Sequence, residues 1–300
     1  MLLPEGLIPA SFSPFTEDDN LDVRALKERL EEVCEGASGL HGPANHSEMT
    51  LLTFDEWKQW IDVMIEVCKR KKMKSWAFFG AESFKKTIPY AEYAEKAGAD
   101  GFILLPPYKV KYSAEAAYQY FKEFAKLYPK VPIIFYGQFN TPNPSDPYLA
   151  ARIAEIPNMV GMKLTSEFSI MQAGTLYSLT RNNKHFRIVA GSLAGFYVLR
   201  GLDLKASFSV QSELAPKWAL ELWKALQSKD WKAADLWFDK LHELGHAMNN
   251  PGGYLHSHAG EKAAMGLLGK PVGRIRSPAL PPTDEQMVAI KKALSKLGLL

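Results

Sequence analysis

Short apolar runs alternate with longer amphipathic segments up to about residue 210 of this 300-residue chain. Each run is too short to make a buried helix, and each intervening segment buries only one stripe. Parallel strands joined by helical crossovers hide both at once. Strands are predicted over 7–12, 39–42, 75–79, 102–105, 131–136, a sixth ending at Lys163, 187–190 and 206–210. Between them, helices are predicted over 18–35, where Leu21, Leu26, Leu30 and Val33 recur at helical spacing, and after Thr53, whose partner Glu56 completes a capping box. Further helices are predicted over 84–97, 114–127 and 147–154. Eight strands favour a closed barrel over an open doubly wound sheet, and no Gly-rich phosphate loop follows the first strand. Beyond Pro216 only helical patterns remain, over 218–227, 231–248, 258–268 and 283–297. The expected fold is therefore α/β: a (β/α)8 TIM barrel over 1–215, followed by a C-terminal helical appendage over 216–300.

One residue stands out against that frame. The apolar run Met159-Val160-Gly161-Met162 ends in Lys163. The C-terminal ends of barrel strands face the pocket where such folds do chemistry. A lysine there is partly desolvated, which lowers its pKa and frees an amine to attack a carbonyl carbon. The other strand ends add Ser11, Ser13, Asn45, His46, Ser47, Gly80, Tyr108, Tyr136, Gly191 and Ser209. An amine and a phenol suffice for Schiff-base chemistry: Lys163 as nucleophile, Tyr136 as proton relay. Small polar groups and backbone N–H groups can hold a keto-acid carboxylate. The positive iminium is itself the electron sink, so neither a metal nor an organic cofactor is required. No Cys/His/Asp/Glu set with metal spacing occurs at these positions. His41, among apolar neighbours, is expected to be a core residue, and His242, His246, His256 and His258 structural or exposed.

Composition removes other classes. A net charge of +3 is too small to argue for nucleic acid, and the run Lys69-Arg70-Lys71-Lys72 ends a predicted helix, where cations suit the dipole. The two cysteines, Cys34 and Cys68, fall in apolar helical patterns and read as buried thiols of a reducing compartment. There is no signal-peptide pattern and no stretch near the ~20 apolar residues of a membrane span. A soluble cytoplasmic protein is expected.

Several motifs, spread almost end to end, resemble the dihydrodipicolinate synthase/N-acetylneuraminate lyase family of class I aldolases. They are Ile8-Pro9-Ala10 with Ser13-Pro14-Phe15, Glu48 with Leu52-Thr53, Ala97-Gly98-Ala99-Asp100-Gly101 with Pro106-Pro107-Tyr108, Gly161-Met162-Lys163, and Ala190-Gly191-Ser192. The resemblance implies the Schiff-base lysine at Lys163, a pyruvate-type substrate and a homotetramer built as a dimer of dimers. There are departures. The family's carboxylate-binding hydroxyl pair is here Asn45-His46. Its arginine after the tyrosine is missing from Tyr136-Gly137-Gln138-Phe139-Asn140-Thr141, and its second tyrosine is replaced by Lys109. These changes argue against lysine biosynthesis.

The sequence therefore predicts a Schiff-base lyase acting on pyruvate or a related 2-keto acid. Lys163 and Tyr136 are catalytic; Asn45, His46, Ser47, Gly191 and Ser209 bind substrate. A 2-keto-3-deoxy sugar acid dehydratase, or a hydratase-aldolase for a bulkier keto acid favoured by Phe139 and His46, would use the same lysine. A keto-acid-binding relative without turnover is the alternative of another class.

Overall fold

The computed structural model describes residues 1–166, 168–249, 258–270 and 272–300, apart from the side chain of Asn249, so His256 lies outside the described residues. Eight parallel strands form one sheet: β1 (Gly6–Pro9), β2 (Gly39–Gly42), β3 (Lys74–Phe79), β4 (Gly101–Leu104), β5 (Ile133–Tyr136), β6 (Met159–Leu164), β7 (Arg187–Ala190) and β8 (Ala206–Ser209). Ladders run in sequence from β2 to β8, and β8 pairs with β1. The helices after successive strands are α1 (Val23–Glu32), α2 (Phe54–Lys71), α3 (Phe84–Ala97), α4 (Ala114–Leu127), α5 (Pro147–Ile153), α6 (Ile170–Thr180), α7 (Leu193–Val198) and α8 (Gln211–Leu214). Four more follow: α9 (Pro216–Ser228), α10 (Trp231–Asn249), α11 (Ala259–Leu267) and α12 (Asp284–Lys296). This is the expected (β/α)8 barrel with C-terminal helices. Among the described residues no helix is long and apolar enough to cross a membrane.

The seam between β1 and β2 is closed by other means than a ladder. The Ser38 N–H donates to the Leu7 carbonyl at 2.9 Å. The His41 Nδ1 lies 3.0 Å from the Ile8 carbonyl and 3.2 Å from that of Pro9. Carbonyls only accept, so Nδ1 carries the proton. Burial first, and the Lys163 charge second, push the His41 pKa down to about 3. A neutral imidazole thus serves as barrel backbone, in keeping with the structural role expected for it.

Several predicted boundaries shift for local reasons. The first strand stops at Pro9, not 12, because proline has no N–H to extend the pairing. The fifth begins at Ile133, not 131; Pro132 accepts from the Phe102 N–H at 2.9 Å but has none to give. The eighth ends at Ser209 because Val210 already has helical φ and ψ. The first helix starts at Val23, where the Asp22 carboxylate accepts from the Ala25 N–H at 2.9 Å. The predicted Thr53/Glu56 capping box forms as read.

The C-terminal region is pinned to the loop after β2 through one carboxylate. Glu48 is 6% exposed and holds a left-handed φ of 57°, unusual outside glycine. It pairs with Lys262, which is 3% exposed and also donates to the carbonyls of Ser13 (2.9 Å) and Arg274 (3.0 Å). The Arg276 N–H donates to Glu48 Oε2 at 2.8 Å, and its guanidinium reaches Glu56, Asp19 and the Leu51 carbonyl. Phe15 lies between the cations, its ring centroid 4.5 Å from Lys262 Nζ and 4.0 Å from Arg276 Cζ. Removing one partner of such a pair strands a buried charge. Glu48→Gln should cost about 3–5 kcal/mol in chemical denaturation, and adding Lys262→Met should recover much of it. A loss below about 1 kcal/mol, the range of exposed pairs, would show that the cluster is not buried as described.

Candidate active site

Lys163 and Tyr136 are ladder partners across β5 and β6, so the pleat sets their side chains on the same side. The Lys163 Nζ lies 4.9 Å from the Tyr136 ring centroid, 5.3 Å from that of Phe208 and 5.7 Å from that of Phe78. The Tyr136 hydroxyl accepts from the Asn45 Nδ2 at 3.4 Å. Amine, phenol and amide are therefore gathered from β6, β5 and the loop after β2. Two glycines let neighbouring chain close against this strand end. The Gly137 N–H donates to the Lys163 carbonyl at 3.0 Å, and a Cβ at 137 would stand 2.6 Å from that oxygen. A Cβ at Gly191 would meet the Leu164 carbonyl at 2.4 Å. Side chains at either place would displace the lysine.

Tyr136 is the wall shared by two cavities. One, of about 550 Å³, is lined by Lys163, Thr165, Gly191 and Ser192. The other, of about 480 Å³, is lined by Asn45, Tyr108, Gln138 and Asn140. Gly191 thus lines the Lys163 cavity, where it was expected. Ser47 and Ser209 have their hydroxyls engaged within the protein. Ser47 donates to the Ser11 carbonyl at 2.6 Å and accepts from the Ala44 N–H at 3.1 Å. Ser209 accepts from the Ser212 N–H and hydroxyl at 3.1 and 2.9 Å. Neither is among the described residues lining the two cavities.

His46 is 5% exposed, and its Nε2 has no hydrogen-bond partner among the described residues. Its ring centroid lies 5.9 Å from Phe12, 6.0 Å from His258 and 6.2 Å from His41. Burial, then His258, His41 and Lys163, hold its pKa well below the ordinary imidazole range. Kept neutral, it adds no positive charge to the site, and it is not among the described residues lining either cavity. His258, expected to be structural or exposed, comes from the start of α11 to the back of this loop and pairs through Nδ1 with Glu261 at 2.5 Å. Among the described residues no group of three or more His, Cys, Asp or Glu is placed to hold a metal ion.

Sequence reasoning passed over Glu213. It is 1% exposed in α8; the Ser11 hydroxyl donates to its Oε1 at 3.0 Å, and Ser11 is bound in turn by Ser47. Its one sequence signal is an acid directly after the eighth strand. Burial pushes its carboxyl up to about 8, against the opposing pull of Ser11 and Arg29. Between the ordinary carboxyl range and about 8, the folded chain then holds a proton that the unfolded chain has lost. Stability therefore falls as pH rises through that window, and the loss is complete above it. Glu213→Gln keeps the acceptor and removes the ionisation. Its melting temperature relative to wild type should rise from pH 5 to pH 8; parallel curves would contradict the assignment.

The whole length of the chain finds matches among known proteins. Residues 3–297 match the model of the dihydrodipicolinate synthetase family. The chain is 30% identical over 309 residues to a 4-hydroxy-tetrahydrodipicolinate synthase of Bartonella tribocorum and 28% identical over 302 residues to that of Archaeoglobus fulgidus, covering 99% of each chain in both cases. It superposes on the chloride-inhibited dihydrodipicolinate synthase of Acinetobacter baumannii, solved with pyruvate, with a TM-score of 0.84 at 26% identity over 99% of both chains. The chain belongs to the dihydrodipicolinate synthetase family.

Proposed function

We propose that this protein is a Schiff-base-forming lyase acting on pyruvate or a related 2-keto acid. The observation that carries the reading is the meeting of Lys163, Tyr136 and Asn45 at one end of the barrel. Lys163 attacks the keto carbon, and the carbinolamine loses water to give the iminium. Tyr136 moves the proton in that collapse and in the carbon–carbon step, its phenol oriented by Asn45. The iminium takes up the electron pair as the bond to the second fragment breaks, or releases it as that bond forms.

The proposed activity is not the synthase step for which the relatives above are named. No arginine is among the described residues lining either cavity. Lys109, in place of the second tyrosine, lies 3.7 Å from Glu82. Lys111 is a cation among the described residues lining the Asn45 cavity, so the missing arginine changes how a second acidic group could be held there. The reading carries with it the homotetramer that the resemblance implies. The free, buried Cys34 and Cys68 fit a reducing cytoplasm.

The roles separate by mutation. With pyruvate and an aldehyde panel, Lys163→Ala should abolish condensation and cleavage. Tyr136→Phe should retain pyruvate binding and lose ~10²–10⁴-fold in kcat. Wild-type turnover in Lys163→Ala would sink the assignment.

A further inference from the structure

A third cavity, of about 290 Å³, lies among α7, α8, α9 and α10. On α10, His242 and His246 are one helical turn apart, and both line it, with Gly245 between them. Residues four apart on a helix share a face, with their Cβ atoms about 5–6 Å apart. Both histidines are exposed, so their rings can be reached from solvent. The His242 ring is held in place by stacking on Phe238 at 5.6 Å and 12°, and Phe238 stacks in turn on Tyr197 at 4.0 Å. A Cβ at Gly245 would meet nothing within 4 Å. Glycine is unfavourable inside a helix, and here it leaves space beside the two rings. Gln211, the first residue of α8, lines the same cavity. Its Oε1 is buried and has no hydrogen-bond partner among the described residues, a state that calls for an explanation.

Two imidazoles and an amide thus border one space, with no carboxylate or thiolate among the described residues that line it. An imidazole pair one turn apart on a helix can reach a single ion at about 2.0–2.1 Å. We propose that His242, His246 and the Gln211 amide oxygen hold a divalent transition-metal ion of the Zn²⁺ or Ni²⁺ class, with water completing its shell. Imidazole donors select such ions over Mg²⁺ and Ca²⁺, which prefer oxygen. The donors are two imidazoles and an amide, not three of His, Cys, Asp and Glu. An ion held there would tie α10 to α8, the helix that directly follows β8. It would also stand at a wall shared with the Lys163 cavity, since Ala194, Phe238 and His242 line both. The site asks nothing of the Schiff-base chemistry, and either can fail without the other.

The test is calorimetric titration of Zn²⁺ into the chelator-treated full chain, with Mg²⁺ as the comparison ion. Wild type should take up one tightly held Zn²⁺ per chain and give no saturable heat with Mg²⁺. Removing even a residue that only orients a metal ligand typically costs about 10–100-fold in affinity, so loss of a ligand should cost at least ~10-fold. His246→Ala should show that loss. His242→Phe, which keeps a ring to stack on Phe238, should show it too, and Gln211→Leu should show a smaller one. His185→Ala removes an exposed imidazole elsewhere and should bind as wild type does. Zn²⁺ should also raise the melting temperature of wild type and leave that of His246→Ala where it was. No saturable Zn²⁺ binding, undiminished binding in His246→Ala or His242→Phe, or an equal loss in His185→Ala would overturn the site. An affinity unchanged in Gln211→Leu would overturn its third donor.

Discussion

The carboxylate of Glu48 ties the C-terminal helices to the mouth of the barrel. It holds the ammonium of Lys262 and the backbone N–H of Arg276, two groups more than 200 residues away in the chain. Lys262 spends its remaining donors on the Ser13 and Arg274 carbonyls. The loops after β1 and β2 are thus fixed both to each other and to the appendage. Asn45 and His46 lie just before Glu48 in one of those loops. The residues that would position a substrate are held by an ion pair in low dielectric, where a lost partner is expensive and an intact one is rigid.

The chemistry of the mouth follows from the same burial. His41 and His46 are kept neutral, and Glu213 is kept protonated to about pH 8. Around neutral pH these three buried groups add no charge beside Lys163. The lysine is surrounded instead by the rings of Phe78, Tyr136 and Phe208, with the Asn45 amide reaching the tyrosine oxygen. An iminium formed there would meet the same aromatic faces, so the cation replaces one already accommodated.

Much of this is legible in the residues. The eight apolar runs, the capping box at Thr53 and Glu56 and the lysine closing the sixth run each express a local rule, and the structure keeps them. What escaped has one physical cause: contacts distant in sequence. Nothing near His258 says that α11 returns to the back of the loop bearing His46. Nothing near Glu213 says that it meets Ser11, 202 positions away. Phe139 follows Tyr136 closely in the chain and lines the second cavity, while its ring packs with Phe121 and Phe135.

The measurement that bears most directly on the account is borohydride reduction of the protein in the presence of pyruvate, followed by peptide mass mapping. A single reduced adduct on the peptide carrying Lys163, formed in step with loss of activity, is the predicted result. No adduct, or one on other lysines with Lys163 unmodified, would contradict the central claim that this strand-end amine is the nucleophile.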